Sequence, residues 1–155
     1  AVNLIGQAFV KWLSDKSGKP ASELKIGVGH DSRITKDLMK DAFITGASAA
    51  GATLYYCGLV STPSMFMTVV FPEFQFDGSV MITASHNPPK YNGYKVYWED
   101  GAQIVAPHDK EIIAEVNKVK DYSLIRGISL SLSYIRLALA RALDSFLFIF
   151  NNRLK

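Results

Sequence analysis

The side chains best suited to group-transfer chemistry lie close together near the middle of the chain. Ser85 is followed directly by His86 and Asn87, and Lys95 lies in the next apolar run. A serine hydroxyl can carry a phosphoryl group, an imidazole or an amide can donate to its oxygens, and a lysine can balance charge or move a proton. An ordinary polar turn uses the same residue types, and composition alone favours that interpretation.

Two apolar stretches flank this group and must position it. Residues 80–82 form an apolar run that predicts a buried strand, and residues 94–98 alternate as a second strand does. Pro88 and Pro89 cannot continue the first strand because they lack a backbone donor, and Asn92-Gly93 is a strong hairpin-turn signal. The sequence therefore predicts a rigid loop between two strands, with Ser85 presented at a strand end.

Two short motifs in this region resemble those of a known family. Residues 83–88 are Thr-Ala-Ser-His-Asn-Pro, and residues 92–95 are Asn-Gly-Tyr-Lys. Together they closely resemble the phosphoserine loop of the α-D-phosphohexomutases, the phosphoglucomutase and phosphomannomutase family, and the resemblance extends from about residue 4 to about residue 120. In that family the serine is phosphorylated in the resting enzyme and its phosphate takes part in binding magnesium. The resemblance implies that Ser85 carries this phosphate and contacts Mg²⁺ through it.

The resemblance also implies roles for the neighbouring residues. Lys95 matches the family's lysine implicated in proton transfer, and strand alternation places its side chain on the opposite face from its two neighbours. His86 and Asn87 match the loop residues beside the nucleophile and are expected to bind substrate. Asn92 and Gly93 are expected to support the loop.

The activity implied by the resemblance is reversible transfer of a phosphoryl group between the 1- and 6-positions of a hexose phosphate, in carbohydrate metabolism. Mg²⁺ and a bisphosphorylated hexose as activator are the expected cofactors. In the family the other magnesium ligands, the sugar-recognition residues and a phosphate-binding loop belong to later domains. Those domains are therefore expected partners in the full chain, and the present chain alone is expected to be inactive. The alternative is a truncated, non-catalytic module that keeps the fold.

A second group of charged residues follows an earlier strand. Residues 24–29 predict a strand that leads into His30, Asp31 and Arg33. The acid and the arginine can form a charge pair or hold a phosphate-bearing loop, although an ordinary turn explains them equally well. The family carries a similar Gly-x-Asp-x-Arg segment, usually with arginine at the position of His30, which implies a supporting role for Asp31 and Arg33.

Helical and strand patterns alternate along the chain. Helices are predicted from about residue 4 to 17, over 36–50, after Pro63 and over 107–119, with strands over 24–29, 52–57, 80–82 and 94–98. Thr62 is the predicted N-cap of the third helix. Leu38 and Gly46 belong to a stripe on the second helix that predicts close approach to a sheet. The expected fold is a three-layer α/β/α domain with a mixed sheet and an antiparallel strand at one edge.

Length, charge and cysteine content narrow the function classes. The chain of 155 residues suffices for one α/β domain, and its net charge of +3 comes from scattered residues, which argues against a nucleic-acid partner. No cluster of metal ligands is visible. Cys57 lies in an apolar run and is expected to be a buried free thiol, which favours an intracellular and most simply cytoplasmic location. Organelle import stays open because the chain begins without methionine.

The character of the sequence changes after residue 121. Residues 1–121 are the expected first domain of the family, without its N-terminal strand, and residues 122–155 form an apolar tail of uncertain structure that resembles no part of the family. Arg136, Arg141 and Asp144 interrupt every apolar window of about 20 residues, so no membrane span is expected. A truncated or aberrantly spliced product would explain such a tail.

Overall fold

A computed structural model describes residues 2–118, so the predictions for the tail and for Val119 lie outside the described residues. The four helices of this part are α1 (Val2–Ser17), α2 (Lys36–Ala49), α3 (Thr62–Val70) and α4 (His108–Lys118). Its strands are β1 (Lys25–His30), β2 (Thr53–Leu59), β3 (Gly78–Ile82), β4 (Tyr94–Trp98) and β5 (Ala102–Gln103), and a 3₁₀ turn covers Ala21–Glu23. The alternation of helices and strands agrees with the sequence pattern.

The strands form one mixed sheet with the order β2-β1-β3-β4-β5. β1 pairs in parallel with β2 and β3, whereas β4 pairs antiparallel with β3 and β5. The mixed sheet is therefore confirmed. The expectation that the strand after the loop forms the sheet edge was wrong, because β5 lies outside it. A two-residue strand is too short to show an alternating pattern in the sequence.

The helices cover both faces of the sheet, which confirms the three-layer architecture. On one face α1, α2 and α4 enclose the larger core, in which Phe9, Leu13 and Phe43 are fully buried. On the other face α3 packs against Met81 and Tyr97 through a smaller cluster. Because both faces are covered, β3 is buried along its whole length.

The glycine of the α2 stripe serves a contact that the sequence did not predict. A Cβ atom on Gly46 would overlap the main-chain carbonyl of Asn3, and one on Gly6 would overlap that of Phe43. Gly46 thus lets α2 approach α1 closely, while α2 also packs against β1 and β2 of the sheet. Leu38, also placed on the stripe, is 73% exposed. Helical periodicity identifies residues that share a face but not the surface that this face meets.

Smaller differences between the sequence prediction and the structure concern the ends and the exposed faces of helices. Ser61, and not Thr62, is the N-cap of α3, since its side chain accepts a hydrogen bond from Ser64 N at 3.3 Å. Val70 of α3 and Ile113 of α4 are apolar but 47% and 55% exposed. No helix of the described part is long and apolar enough to cross a membrane.

Cys57 lies on β2 as a partly buried free thiol. Burial raises its pKa to about 11, so the thiol stays protonated and weakly nucleophilic near neutral pH. The free thiol agrees with the sequence prediction, although Cys57 is only partly buried.

Candidate functional site

The candidate site is the loop of residues 83–93, which joins the end of β3 to the start of β4. Ile82 pairs with Tyr94, and Thr83 N donates to the Gly93 carbonyl at 3.0 Å, so the two ends of the loop are held together. The two strands form the antiparallel pair that the hairpin signal predicts, but Asn92-Gly93 is not itself the turn. The loop spans all the residues between the strands, since β3 ends at Ile82 and β4 begins at Tyr94.

The Asn92 side chain instead forms hydrogen bonds within the loop and with Thr35. Its side-chain oxygen accepts from Gly93 N at 2.9 Å, and its amide nitrogen donates to Thr35 Oγ1 at 3.0 Å. Thr35 directly precedes α2, so this bond joins the loop to the helix start. The supporting role expected for Asn92 and Gly93 has a geometric basis here, although Thr35 itself gave no recognisable signal in the sequence.

Ser85 is exposed on this loop in an unusual backbone conformation. Its φ of 54° lies in the left-handed region, which a residue with a side chain enters at a cost of about 1–2 kcal/mol. Ser85 N donates to Thr83 Oγ1 at 3.0 Å, and Ser85 Oγ lies 3.1 Å from His86 Nδ1. The Ser85 main chain is therefore fixed by Thr83, while Ser85 is exposed to solvent with its hydroxyl beside the His86 imidazole.

The residues expected to bind substrate follow on the same exposed stretch. His86 and Asn87 are both exposed, and Asn87 N donates to the Ala84 carbonyl at 3.0 Å, which closes a turn around the serine. The structure thus brings the serine, the imidazole and the amide to one surface at the carboxyl end of β3.

Arg33 reaches this loop from the end of β1. Its Nη1 donates to the carbonyls of Pro88 and Tyr91 at 2.9 and 3.0 Å. Its Nη2 donates to the carbonyls of Ser85 and Asn87 at 2.7 and 2.9 Å. The side chain is only 10% exposed, so one largely buried guanidinium contacts four carbonyls of a single loop.

Asp31 holds this arginine in place. Its Oδ2 accepts from Arg33 Nε at 3.0 Å and from Thr83 Oγ1 at 2.7 Å, and its Oδ1 accepts from Arg33 N at 3.0 Å. Partial burial raises the pKa of Asp31, but the hydrogen bonds from Thr83 and Arg33 and the charge of Arg33 outweigh it, leaving the pKa below its ordinary value. Asp31 is therefore a carboxylate at neutral pH, and it connects the arginine to the base of the loop.

His30 lies beneath this pair and is 4% exposed. Its Nδ1 lies 2.7 Å from the Asp31 carbonyl, which must accept, so Nδ1 carries the proton and Nε2 accepts from the Tyr56 hydroxyl at 2.6 Å. His30 thus packs at the end of β1 as a fully hydrogen-bonded residue. It supports the turn that leads into Asp31.

Lys95 lies on β4 opposite Met81 of β3. Met81 and Tyr97 belong to the cluster beneath α3, whereas Tyr94 donates to the Met39 carbonyl of α2 at 2.8 Å. Because side chains alternate along a strand, Lys95 shares the α3 face, in agreement with the alternation predicted from the sequence. It lies close to the loop in the sheet register, but it makes no hydrogen bond with Ser85. Its role stays a prediction.

The described residues fit a magnesium site only in part. Within residues 2–118, no group of three or more His, Cys, Asp or Glu side chains could hold a metal ion. The phosphate on Ser85 that the sequence predicts as a magnesium ligand stays a prediction.

The fold and the loop together define an α/β domain that presents an exposed serine at the carboxyl end of a central strand. The chain belongs to the phosphoglucomutase/phosphomannomutase family, whose alpha/beta/alpha domain I model matches residues 1–123.

Individual relatives agree with this assignment. A probable phosphoglucosamine mutase from Methanocella arvoryzae is 41% identical over 111 residues, which cover 70% of this chain and 24% of that protein. A phosphopentomutase from Mus musculus is 41% identical over 98 residues, covering 63% of this chain and 14% of that protein. A crystal structure of a putative phosphomannomutase from Thermus thermophilus superposes with a TM-score of 0.64 at 28% identity, covering 74% of this chain and 25% of that chain. The chain thus spans about a quarter or less of the length of these relatives.

Proposed function

We propose that this chain supplies the phosphoserine of a phosphosugar mutase, with Ser85 as the residue that carries the phosphoryl group. The observation that carries the proposal is the exposed Ser85 hydroxyl on a loop whose main chain is held by Arg33 and Thr83. Membership of the mutase family supports the same reaction type. Phosphoryl transfer depends mainly on positioning and charge stabilisation, and a fixed loop supplies the first of these.

The proposed step exchanges one P–O bond for another. A sugar hydroxyl oxygen bonds to the phosphorus as the bond between phosphorus and Ser85 Oγ breaks. The proton released by the sugar hydroxyl is removed, and Ser85 Oγ gains a proton. We assign the proton transfer to Lys95, whose position on β4 puts it near the loop end. The bisphosphorylated sugar then turns around and its other phosphoryl group returns to Ser85, which restores the phosphoserine.

The neighbouring residues would bind the substrate. His86 and Asn87 lie on the same exposed surface as Ser85 and can donate to phosphate oxygens or sugar hydroxyls. Mg²⁺, held through the phosphate on Ser85, would neutralise charge on the transferred group, with its other ligands supplied from outside the described residues. The proposed substrate class is hexose 1- and 6-phosphates, and a bisphosphorylated hexose would recharge Ser85. The free thiol of Cys57 supports a location inside the cell as part of this proposal.

The test uses the full-length protein that contains this chain. Conversion of glucose 1-phosphate to glucose 6-phosphate is measured with magnesium and glucose 1,6-bisphosphate for the wild type, for Ser85→Ala and for Ser48→Ala. Ser48 lies on α2 away from the loop and is the matched control. We expect no turnover for Ser85→Ala and unchanged turnover for Ser48→Ala. Turnover that survives Ser85→Ala would refute the proposal, and a wild type that converts no sugar phosphate would favour a non-catalytic module.

The same assay tests the assignment of Lys95. Removing a group that transfers a proton typically lowers the rate about a hundredfold or more. Lys95→Ala is expected to reduce turnover by that factor with a normal melting curve. Unchanged turnover would make Lys95 an ordinary strand lysine.

A further inference from the structure

We propose that Arg33, held by Asp31, is a positioning residue that fixes the conformation of the Ser85 loop before substrate or metal binds. The proposal rests on the function proposed for Ser85 and adds the means by which that serine is oriented. It concerns the loop main chain, because all four acceptors of the Arg33 Nη atoms are backbone carbonyls.

The geometry requires a guanidinium group. The carbonyls of Ser85, Asn87, Pro88 and Tyr91 converge on one side chain, two on each terminal nitrogen. A planar guanidinium has five donors in a fixed fork, and the fifth, Nε, is used by the carboxylate of Asp31. A lysine ammonium has three donors on one atom and cannot span the same acceptors. Arg33→Lys is therefore a severe change at this position.

The strained residue is held on both sides by the same network. The carbonyl of Ser85 accepts from Arg33 Nη2, and its N–H donates to Thr83 Oγ1. Arg33 Nε and Thr83 Oγ1 both donate to Oδ2 of Asp31. A left-handed φ in a residue other than glycine persists only where the surroundings enforce it. Here the two peptide groups around Ser85 are linked through one carboxylate oxygen.

Arg33 itself positions the loop and does not bind substrate. The Nη and Nε atoms of Arg33 all point at carbonyls or at Asp31, so its donors are occupied within the protein. Four carbonyls of the loop accept hydrogen bonds from Arg33, whereas Ser85 itself is exposed to solvent. Removal of Arg33 should therefore lower the rate of phosphoryl transfer without weakening sugar-phosphate binding to the same extent.

The first test measures loop order directly by hydrogen exchange and mass spectrometry on the 155-residue chain. Arg33→Lys should speed exchange of the Ser85, Asn87 and Tyr91 amides about tenfold or more, since charge-assisted bonds that oppose local opening are lost. Amides of β1 and β3 should exchange at the wild-type rate. Lys36→Met, which removes a nearby positive charge paired with Asp37, is the control and should leave the loop unchanged.

A second variant keeps the proposal testable if Arg33→Lys fails to fold. Thr83→Val preserves the shape of a buried side chain but removes the hydroxyl between Asp31 and Ser85 N. It should speed exchange at Ser85 by about tenfold while the Tyr91 amide keeps its protection. Unchanged loop exchange in either folded variant would overturn the proposal, whatever the activity of Ser85.

The second test separates rate from binding in the full-length protein. We expect Arg33→Lys to lower kcat about tenfold or more and to raise KM for glucose 1-phosphate by a clearly smaller factor, because phosphoryl transfer depends on the alignment of Ser85 whereas His86 and Asn87 on the same loop supply only part of the substrate contacts. An equal kcat, or a loss confined to KM, would contradict the positioning role. If the wild-type protein carries no phosphate on Ser85, the proposed function fails, while hydrogen exchange still decides whether Arg33 orders the loop.

Discussion

Replacing Asp31 by asparagine tests how much the hydrogen bonds accepted by Asp31 stabilise the fold. The carboxylate accepts three hydrogen bonds, two at Oδ2 from Arg33 Nε and Thr83 Oγ1, and one at Oδ1 from Arg33 N. An asparagine of the same shape has one oxygen and one NH₂ group. In either amide orientation its NH₂ group faces a donor, so at least one bond is replaced by a donor–donor contact.

The size of the effect follows from these contacts. A hydrogen bond to a charged group contributes about 1.5–3 kcal/mol, and a partly buried donor left without an acceptor costs a similar amount. The Asp31 side chain is 26% exposed, so solvent recovers part of this loss. We expect Asp31→Asn to lower the free energy of unfolding by about 2–3 kcal/mol. The control Asp37→Asn breaks only surface ion pairs and should cost less than about 1 kcal/mol.

Urea denaturation of the wild type, Asp31→Asn and Asp37→Asn at several pH values measures these changes in the free energy of unfolding. At pH 7 the midpoint of Asp31→Asn should lie about 1–2 M urea below that of the wild type. Because the folded pKa of Asp31 is lowered, its stabilising contribution is complete above the unfolded pKa of about 3.9 and is lost as the pH falls through the folded value. The difference between the two proteins should therefore shrink below about pH 4. Equal midpoints for Asp31→Asn and Asp37→Asn at pH 7 would refute this account of the network.

Three further outcomes test other parts of the structure. Gly46→Ala should destabilise the chain by about 2 kcal/mol despite its better helix propensity, because the new Cβ meets the Asn3 main chain; an equal or higher melting temperature would contradict this packing. Hydrogen bonds from Trp12, His108 and Lys16 lower the pKa of Glu111 to about 2, so the wild type should lose stability relative to Glu111→Gln as the pH falls from about 4.5 towards 2, and parallel acid titrations would argue against these bonds. Ser85→Gly should be about 1 kcal/mol more stable than Ser85→Ala in urea, because glycine accepts the left-handed φ without strain; equal stabilities would mean that Ser85 is not strained.

Local sequence signals predicted the strands that carry the loop and the position of Ser85 at a strand end. The apolar run before Ser85 and the alternation after Asn92 are short-range patterns, which depend only on neighbouring residues. The loop conformation did not follow from them. Asn92-Gly93 is a strong turn signal by itself, but Asn92 bonds to Thr35, a partner far away in the sequence.

The network around Arg33 could be foreseen only as a choice between a charge pair, a loop support and an ordinary turn. Its four acceptors on the loop are backbone carbonyls, and every residue type presents a carbonyl, so no sequence pattern marks them. The same limit applied to Gly46. Its small size indicated a close approach, but the approaching surface is α1, which only the tertiary arrangement determines.

The most direct test of the central claim is the location of phosphate in the full-length protein that contains this chain. Intact-mass measurement followed by peptide mapping identifies both the amount of phosphate and the residue that carries it. We expect phosphate on Ser85, lost on addition of excess glucose 1-phosphate and restored by glucose 1,6-bisphosphate. Phosphate found only on other residues, or a Ser85 that stays unmodified after incubation with the bisphosphate, would contradict it.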